Sequence, residues 1–299
     1  MYWHILGAGA IGCLWAAQLC QAGHPVSLIL RNPSRLDSFD GQLTLEHDGQ
    51  CRSFQLAGCL ADSCGPIDRL LLTTKAYDVV EALHGVAHQL RPGAQIVLLH
   101  NGMGPQQQVP ELYPAQQVWS ATSTDGAWLR EPFHVVWAGR GETRIGRFDA
   151  PGEAQLPDGL DGLELQLLAD PAIELSLWRK LAINCAINPL TALHGCRNGE
   201  LLSTPQIHRQ MQQVCAEIEQ LCQQRQLKLF PDGVLAAAEQ VARGTAANYS
   251  SMLQDRRNGR RTEIDYITGY LLDSARQLGL ALPENERLFK QFNSKKTNR

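Results

Sequence analysis

The chain has 299 residues, of which 44% are hydrophobic and 19% are charged, and its formal net charge is −3. This composition predicts a globular protein of one or two domains. The small net charge gives no reason to expect nucleic acid or a membrane surface as a partner. No apolar run is long enough to span a bilayer, and the first residues lack the regions of a secretion signal, so we expect a cytoplasmic protein.

The chain contains nine cysteines and nine histidines, and we predict that none of them binds a metal. The cysteines are odd in number and form no Cys-x-x-Cys pair, a pattern that does not indicate zinc ligands. Free and mostly buried thiols in a reducing compartment are the expectation. Those within predicted helices are Cys13, Cys20, Cys185, Cys215 and Cys222.

The N-terminal segment predicts a βαβ unit with a glycine-rich first turn. Trp3–Leu6 has the character of a short strand, apolar residues at helical spacing follow as far as Gly23, and Pro25–Leu30 predicts a second strand. The first turn consists of Gly7, Ala8, Gly9, Ala10, Ile11 and Gly12. A Gly-x-Gly-x-x-Gly turn in this context is typical of a dinucleotide site, although an ordinary glycine-rich turn is the alternative.

Each of the three glycines would have a different role in a dinucleotide site. Gly7 permits the tight turn, Gly9 lets the backbone approach a phosphate, and Gly12 lets the helix pack closely on the strand. The pyrophosphate then meets the unpaired N–H groups and the positive dipole end of the helix.

The residue after the second strand indicates which dinucleotide is bound. NAD sites usually carry Asp or Glu there, to accept hydrogen bonds from the ribose hydroxyls. This chain carries Arg31 instead, and a guanidinium suits the 2′-phosphate of NADPH. The alternative is a solvated surface arginine.

The rest of the first half alternates strands and helices. Leu43–His47 and Cys51–Leu56 predict a hairpin around Asp48-Gly49. The further predicted elements are a strand at Asp68–Thr74, a helix near Val79–Leu90, strands at Gln95–His100 and Gln117–Thr122, and an edge hairpin of Phe133–Ala138 with Glu142–Ile145. This alternation predicts the α/β class with a doubly wound, Rossmann-type parallel sheet that carries antiparallel additions.

The second half predicts an all-helical domain of about five helices. Pro151–Gly162 has the composition of a loop, and no convincing strand follows Leu163. Thr204-Pro205 begins a long amphipathic helix that reaches about Gln224. Further helix starts are predicted at Pro231, at Pro283 and at a capping box formed by Thr262 and Asp265.

We place the domain boundary so that residues 1–168 form a nucleotide-binding domain and residues 169–299 a substrate domain. Ser294–Arg299 is expected to be a frayed polar tail.

A polar stripe in the helical half is the candidate for the chemistry. Lys180, Asn184 and Asn188 are spaced i, i+4 and i+8, so on a helix they project from one face of an otherwise apolar segment. Buried asparagines are costly unless they are paired, and a desolvated lysine becomes a better acid. A solvent-facing polar stripe is the alternative.

Two other places attract attention. Lys75 and Asn101 each follow the carboxyl end of a predicted strand, where ligands bind in open α/β sheets, and each could equally be a loop-capping residue. The hydroxyl and amide groups of Asn248–Asp255 precede the basic run Arg256–Arg261 and could clamp a carboxylate. A plain helix–loop–helix junction is the alternative there.

Taken together, these segments resemble the ketopantoate reductase family over essentially the whole chain. The resemblance rests on GAGAIG at 7–12, LHNGMG at 99–104, WRKLAINCAINPLTAL at 178–193, RNGEL at 197–201, NYSSMLQD at 248–255 and RTEIDYITGYLL at 261–272. It implies a Rossmann domain and a helical domain that close over the substrate, with NADPH as cofactor.

The resemblance also implies roles for single residues. Gly7–Gly12 would hold the pyrophosphate and Arg31 the 2′-phosphate, while Lys75, Asn101 and Glu263 would contact the cofactor. Lys180 matches the family's proton donor. The residues that match groups holding the substrate are Asn101, Asn184, Asn188, Asn198, Asn248, Ser250 and Ser251.

The implied activity is NADPH-dependent reduction of 2-dehydropantoate to pantoate in pantothenate biosynthesis. Two other functions stay open: that of a related dehydrogenase acting on another 2-oxo or 3-hydroxy acid, and NADPH sensing without turnover. The expected partner is a small-molecule 2-oxo acid, and the expected state is a monomer or homodimer.

Overall fold

The computed structural model describes residues 1–294 and divides the chain into two compact units. The first comprises Met1–His100 and Pro105–Glu174, and the second comprises Asn101–Gly104 together with the chain from Leu175 onward. Of the predicted polar tail, Lys295–Arg299 lie outside the described residues.

The first unit contains twelve strands and four α-helices within the part that the structure describes. The strands are β1 Trp3–Leu6, β2 Val26–Ile29, β3 Gln42–His47, β4 Gln50–Gln55, β5 Ala57–Cys59, β6 Ile67–Leu72, β7 Leu90–Leu99, β8 Gln117–Ser123, β9 Gly126–Glu131, β10 His134–Gly139, β11 Glu142–Gly146 and β12 Gln166–Ala169. The helices are α1 Ala10–Gln21, α2 Pro33–Asp37, α3 Val79–Val86 and α4 Pro105–Leu112.

An eight-stranded sheet forms the centre of this unit, in the order β12-β11-β8-β7-β6-β1-β2-β5. The run from β5 to β8 is parallel throughout. Counted along the chain, these six strands follow the order 3-2-1-4-5-6 of a dinucleotide-binding fold. The predicted doubly wound Rossmann-type sheet is therefore confirmed, and β11 adds the antiparallel piece.

A second, four-stranded sheet with the order β4-β3-β10-β9 covers α1. Helix α1 packs on β1 and β2 of the large sheet and also on β3, β9 and β10. Because it is enclosed by two sheets, its sequence is apolar on nearly every face, and Leu14, Trp15 and Leu19 are almost fully buried. This enclosure holds the glycine-rich turn on a rigid support.

The predicted hairpin at residues 43–56 is confirmed. Strands β3 and β4 pair antiparallel with Leu43 opposite Phe54 and Glu46 opposite Cys51. Asp48 and Gly49 both have positive φ, 49° and 75°, as the two central residues of a tight hairpin turn require.

The predicted hairpin of Phe133–Ala138 with Glu142–Ile145 is wrong. Strand β10 pairs with β3 and β9 in the small sheet, whereas β11 pairs with β8 and β12 in the large sheet. The Gly139–Gly141 segment therefore passes from one sheet to the other instead of forming a turn between paired strands.

Several other predicted bounds differ from the structure. The helix predicted near Val79–Leu90 is α3, which ends at Val86. A 3₁₀ turn at Ala87–Gln89 then leads into β7, which begins at Leu90 and not at Gln95. A strand does follow Leu163, because β12 pairs parallel with β11. The prediction of no strand beyond that point is wrong, since four residues are too few to show a pattern.

The second unit is helical in its described part. Its α-helices are α5 Ile173–His194, which begins two residues before the unit, α6 Glu200–Ser203, α7 Pro205–Gln224, α8 Gly233–Gly244, α9 Ser251–Arg257, α10 Tyr270–Arg276 and α11 Pro283–Ser294. These are seven α-helices within the described residues, more than the predicted five. The starts of α7 and α11 are confirmed, and the buried stripe of α7 runs through Ile207, Met211, Val214, Ile218 and Leu221 as its spacing predicts.

Two predicted helix starts are wrong. Helix α8 begins at Gly233, after a turn that contains Pro231. The segment after Thr262 is a π-helix over Asp265–Gly269, in which Gly269 N donates to Ile264 O over 3.0 Å. The hydroxyl of Thr262 is buried without a hydrogen-bond partner among the described residues, so it does not form the predicted capping box.

Candidate active site

The glycine-rich turn between β1 and α1 accepts only glycine at two of its three positions. Gly7 has a φ of 117°, and a Cβ there would lie 2.8 Å from Thr74 N. A Cβ on Gly12 would collide with the carbonyl oxygen of Gly7. A side chain at Gly7 would collide with the turn after β6, and one at Gly12 would push α1 away from the glycine-rich turn. A dinucleotide turn needs this close packing.

The third position, Gly9, is open. It is the N-cap of α1 and no side chain caps this helix end, while a Cβ on Gly9 would meet nothing within 4 Å. The unpaired N–H groups and the helix dipole therefore face open space beside Gly9, which fits a bound phosphate group.

Arg31 follows β2 and is exposed. The next residue, Asn32, has a structural role as the N-cap of α2, because its Oδ1 accepts a hydrogen bond from Arg35 N over 2.9 Å. This cap fixes the backbone next to Arg31, which lies at the carboxyl edge of the sheet.

Lys75 follows β6 at the same edge, because β1, β2 and β6 are mutually parallel. It is half-buried, and its carbonyl accepts from Asp78 N over 2.8 Å at the start of a 3₁₀ turn. The neighbouring Thr73 donates from its hydroxyl to Gly7 O over 2.7 Å. The turn after β6 is thus joined directly to the glycine-rich turn.

The loop Asn101–Gly104 follows β7 in the chain and belongs to the second unit. Asn101 Nδ2 donates to Glu263 Oε2 over 3.2 Å, and Glu263 is only 5% exposed. Met103 N donates to Tyr266 O over 2.9 Å. Two of the residues that the resemblance assigns to cofactor contacts, Asn101 and Glu263, are therefore direct neighbours within one unit.

Lys180, Asn184 and Asn188 lie on α5 as their spacing predicts. Lys180 and Asn184 are half-buried, and Asn188 is 7% exposed. The stripe is therefore not a freely solvated surface. It places one cation and two amides on the same helix face, partly withdrawn from solvent.

Two loops meet beyond the end of α5. Asn198 N donates to Asn248 O over 3.0 Å, and Asn198 Nδ2 donates to Thr245 Oγ1 over 2.8 Å. Asn198 Oδ1 is buried and has no partner among the described residues. A buried acceptor of this kind can take a hydrogen bond from a bound hydroxyl group.

Ser250 and Ser251 differ sharply in their surroundings. Ser250 is buried, caps α9 by accepting from Leu253 N over 3.2 Å, and accepts from Thr191 Oγ1 over 2.7 Å. Ser251 and Asn248 are exposed. The sequence offers no signal that separates the capping serine from its neighbour, because both precede the same apolar pair.

The basic run that begins in the last turn of α9 is used in packing more than the sequence indicates. Arg256 donates to Ala192 O over 2.8 Å and Arg257 donates to Gly195 O over 3.1 Å. These bonds satisfy carbonyls at the C-terminal end of α5, where cations are favourable.

Tyr249 lies between two arginines, a feature that sequence reasoning missed. The guanidinium carbons of Arg257 and Arg197 lie 4.1 Å and 4.9 Å from its ring centroid. Hydrogen bonds with Arg257, which has the larger effect, and with Arg197 lower the pKa of the Tyr249 phenol. In the sequence, Tyr249 lies a few residues before the basic run Arg256–Arg261, and Arg197 lies in a separate motif. This arrangement does not show which of these side chains are in contact.

The short link between β8 and β9, Thr124-Asp125, contains a structural carboxylate. Asp125 accepts hydrogen bonds from Ser123 Oγ at 2.8 Å, Trp137 Nε1 at 3.1 Å, Gly141 N at 3.0 Å and Thr143 Oγ1 at 3.3 Å. Asp125 thereby ties together the two sheets of the first unit.

The described cysteines are all free, and most lie where a thiol is inert. Burial raises the pKa of Cys13 and of Cys215 to about 12, and it raises that of Cys185 still further. Only Cys51 is exposed among the described cysteines. No described helix has the length and apolar character needed to cross a membrane.

Comparison with known proteins agrees with these features. The family profile "Ketopantoate reductase PanE/ApbA" matches residues 3–150, and "Ketopantoate reductase PanE/ApbA C terminal" matches residues 172–296. The 2-dehydropantoate 2-reductase of Salmonella typhimurium is 38% identical over 296 residues, which cover 98% of this chain and 94% of that protein.

Solved structures share the fold. A PanE/ApbA family ketopantoate reductase from Ralstonia eutropha JMP134 is 27% identical, with a TM-score of 0.88 over 97% of both chains. A complex of D-mandelate dehydrogenase with NADH and anilino(oxo)acetate has a TM-score of 0.90 at 24% identity, over 99% of this chain and 98% of that one, and shows the fold alone. The full-length matches in sequence and fold establish that this chain belongs to the ketopantoate reductase family of oxidoreductases.

Proposed function

We propose that this protein reduces 2-dehydropantoate to pantoate with NADPH, as a step of pantothenate biosynthesis. The observation that carries the proposal is the half-buried stripe of Lys180, Asn184 and Asn188, in a chain 38% identical to a 2-dehydropantoate 2-reductase over its full length. A cation and two amides on one helix face suit a ketone whose oxygen gains charge beside a carboxylate.

For the cofactor, we propose that Gly7–Gly12 hold the pyrophosphate and that Arg31 binds the 2′-phosphate. The open N-terminus of α1 at Gly9 supports the first assignment. The exposed guanidinium at the end of β2 supports the second, because no carboxylate follows that strand to bind a bare ribose. Lys75, at the same sheet edge, is proposed as a further cofactor contact.

In this mechanism, NADPH when bound supplies the hydride that reduces the ketone carbon. Lys180 donates its proton to the ketone oxygen, and its positive charge stabilises that oxygen as charge develops. Glu263 accepts a hydrogen bond from the Asn101 amide and thereby fixes its orientation. Asn101 is then held ready to contact the cofactor and the substrate.

The substrate's carboxylate and hydroxyl groups are assigned to the remaining polar side chains. We propose that Asn184, Asn188, Asn198, Asn248 and Ser251 bind them. The Oδ1 of Asn198, which has no hydrogen-bond partner within residues 1–294, suits the substrate hydroxyl, since a buried acceptor without a donor is otherwise unfavourable. Ser250, whose hydroxyl caps α9, is proposed to hold Ser251 in position and also to border the substrate.

The strongest rival function is reduction of a different 2-oxo acid. Its support is the fold shared with D-mandelate dehydrogenase, because a fold by itself does not select a substrate. An NADPH sensor without turnover is less well supported, since a sensor has no use for a proton donor at Lys180.

Steady-state NADPH oxidation with a panel of 2-oxo acids tests the proposal. We expect kcat/KM for 2-dehydropantoate to exceed that for pyruvate, 2-oxoisovalerate and phenylglyoxylate by at least about a hundredfold, because a site built for a hydroxyl group discriminates strongly against acids that lack one. A higher value for another acid would favour the rival, and no turnover with any acid would favour the sensor.

A further inference from the structure

Three side chains with metal-ligand chemistry meet on the outer face of the four-stranded sheet. Glu46 on β3 lies directly opposite Cys51 on β4, and His134 on β10 pairs with Thr44, two residues before Glu46. Residues two apart on a strand share a face, so all three side chains point to the same side. Their ligand atoms lie within 4.8 Å of one another.

The histidine is already oriented for a ligand role. His134 Nδ1 lies 3.5 Å from Glu131 Oε1, and its Nε2 lies 3.1 Å from Glu46 Oε2. A carboxylate on one ring nitrogen fixes the tautomer and directs the other nitrogen, as it does behind metal-bound histidines. Here the directed nitrogen is Nε2, on the side of Glu46 and Cys51.

Glu46 is also held in place from its other side. Arg130 Nη2 contacts Glu46 Oε1 over 2.7 Å, so the two oxygens of this carboxylate have different neighbours. The arginine anchors Oε1, while Oε2 remains turned toward His134 and Cys51. The side chains of Glu46 and His134 are only 19% and 18% exposed, so both have limited freedom to move away.

We propose that Glu46, Cys51 and His134 form a Zn²⁺ site on this sheet. This differs from the prediction that no cysteine or histidine binds a metal, because strand pairing brings together residues that form no motif in the sequence. Zn²⁺ binds thiolate sulfur at about 2.3 Å and imidazole or carboxylate at about 2.0–2.2 Å, in tetrahedral geometry. Those bond lengths put neighbouring ligand atoms about 3.3–3.6 Å apart. Side-chain rotations that move the ligand atoms by about 1 Å therefore complete the site. The mixed nitrogen, oxygen and sulfur set favours Zn²⁺ over Mg²⁺ or Ca²⁺.

Binding has a defined proton balance. The Cys51 thiol releases its proton to solvent and its sulfur takes the negative charge to the metal, while His134 binds as the neutral imidazole. With the Glu46 carboxylate, the three ligands balance the charge of Zn²⁺, and water takes the fourth position. No oxidant or reductant is involved.

The site would join three strands of the small sheet. A ligand bound only by the folded chain stabilises it by mass action, so Zn²⁺ should raise the Tm. Without a metal role, Glu46, Arg130, His134 and Glu131 form an ion-pair network with a thiol beside it.

The test is direct metal titration of the tag-free, chelator-treated full chain. Zn²⁺ binding by calorimetry is expected at one equivalent, and Co²⁺ is expected to give the thiolate charge-transfer band of a tetrahedral site. Zn²⁺ should also slow the reaction of Cys51 with a thiol reagent. Binding without a fixed stoichiometry, or no charge-transfer band, would overturn the proposal.

Variants assign the ligands. Cys51→Ser and His134→Gln should each abolish the one-equivalent site, and Glu131→Gln should weaken it about ten- to a hundredfold through the lost support of His134. Matched controls are Cys64→Ser and His88→Gln, at a half-buried thiol and an exposed imidazole outside the cluster.

These readouts do not depend on catalysis, so failure of the metal site leaves the proposed reductase activity untouched. Unchanged Zn²⁺ affinity in both Cys51→Ser and His134→Gln would refute the assignment. Circular dichroism of each variant confirms that the sheet is folded before titration.

Discussion

Asn101 donates from its amide Nδ2 to Oε2 of Glu263 over 3.2 Å, across 162 residues of sequence. A second bond, from Met103 N to Tyr266 O at 2.9 Å, attaches the same loop to the same segment. Two hydrogen bonds a few residues apart fix both the position and the orientation of the loop. Two motifs far apart in sequence thus form one structural element, next to a π-helix of the kind often found at functional sites.

The first prediction concerns Gly102 in this loop. Its φ is 79°, and a Cβ there would collide with the carbonyl oxygen of Tyr266. Gly102→Ala should therefore destabilise the protein by about 1–3 kcal/mol through backbone strain and displace Asn101 from Glu263. Thermal unfolding and kcat measure the two effects. Gly139→Ala is the control, since a Cβ at Gly139 meets nothing within 4 Å; equal losses of stability in both variants would contradict the account.

The second prediction concerns Lys180. Loss of a positioned proton donor typically lowers the rate about 10²–10⁴-fold, so Lys180→Ala should lose kcat by that factor. The Kd for NADPH, measured by fluorescence titration, should stay within about threefold, because Lys180 is not assigned to the cofactor. Lys228→Ala, at an exposed lysine outside the stripe, is the control. Near-normal kcat in Lys180→Ala would remove the residue from the mechanism.

The third prediction concerns cofactor choice. Charge-assisted hydrogen bonds to the 2′-phosphate are worth enough that Arg31→Ala should weaken NADPH binding about ten- to a hundredfold, with little change for NADH. Arg91→Ala is the control, because Arg91 lies at the start of β7, on the opposite sheet edge. Equal weakening of both cofactors by Arg31→Ala would show that the guanidinium does not bind the phosphate.

The fourth prediction concerns acid stability. Burial lowers the pKa of His4 below its ordinary value of 6.5, so below pH 6.5 the unfolded state binds a proton more readily than the folded state. The free energy of unfolding therefore keeps its full value above pH 6.5 and decreases as the pH falls from there through the lower folded pKa. His4→Gln should therefore show a shallower decline of Tm below pH 6.5. The exposed His88→Gln is the control, and parallel pH profiles for the wild type and His4→Gln would contradict the prediction.

The sequence predicts the Rossmann-type sheet well because its signals are local. The glycine turn, the apolar strands β1 and β2 and the Asp48-Gly49 hairpin each depend on residues close together in the chain. The buried stripe of α7 is equally local. Helical spacing is therefore sufficient to locate this helix and its buried face.

Pairing between distant strands is where prediction fails. Phe133–Ala138 and Glu142–Ile145 alternate like a hairpin, and alternation gives the buried face of a strand without naming its neighbour. The decisive contacts come from elsewhere, with β3 pairing on one strand and β8 on the other. Asp125, which ties these segments together through Trp137 and Gly141, could not be recognised from its local sequence.

The candidate site shows the same division. The spacing of Lys180, Asn184 and Asn188 predicts their common face. The meeting of Asn101 with Glu263 depends on tertiary structure, and so do the capping role of Ser250 and the pairing of Tyr249 with Arg197 and Arg257. Residues so far apart in sequence leave no periodic signal, so only the three-dimensional structure brings them together.

The most direct test of the central claim is to follow the transferred hydrogen. Purified protein is incubated with 2-dehydropantoate and NADPH that carries deuterium at both C4 positions, and the product is examined by NMR and mass spectrometry. We expect pantoate with one deuterium at C2, formed in a one-to-one ratio with oxidised cofactor. Failure to form pantoate, or pantoate without deuterium at C2, would contradict it.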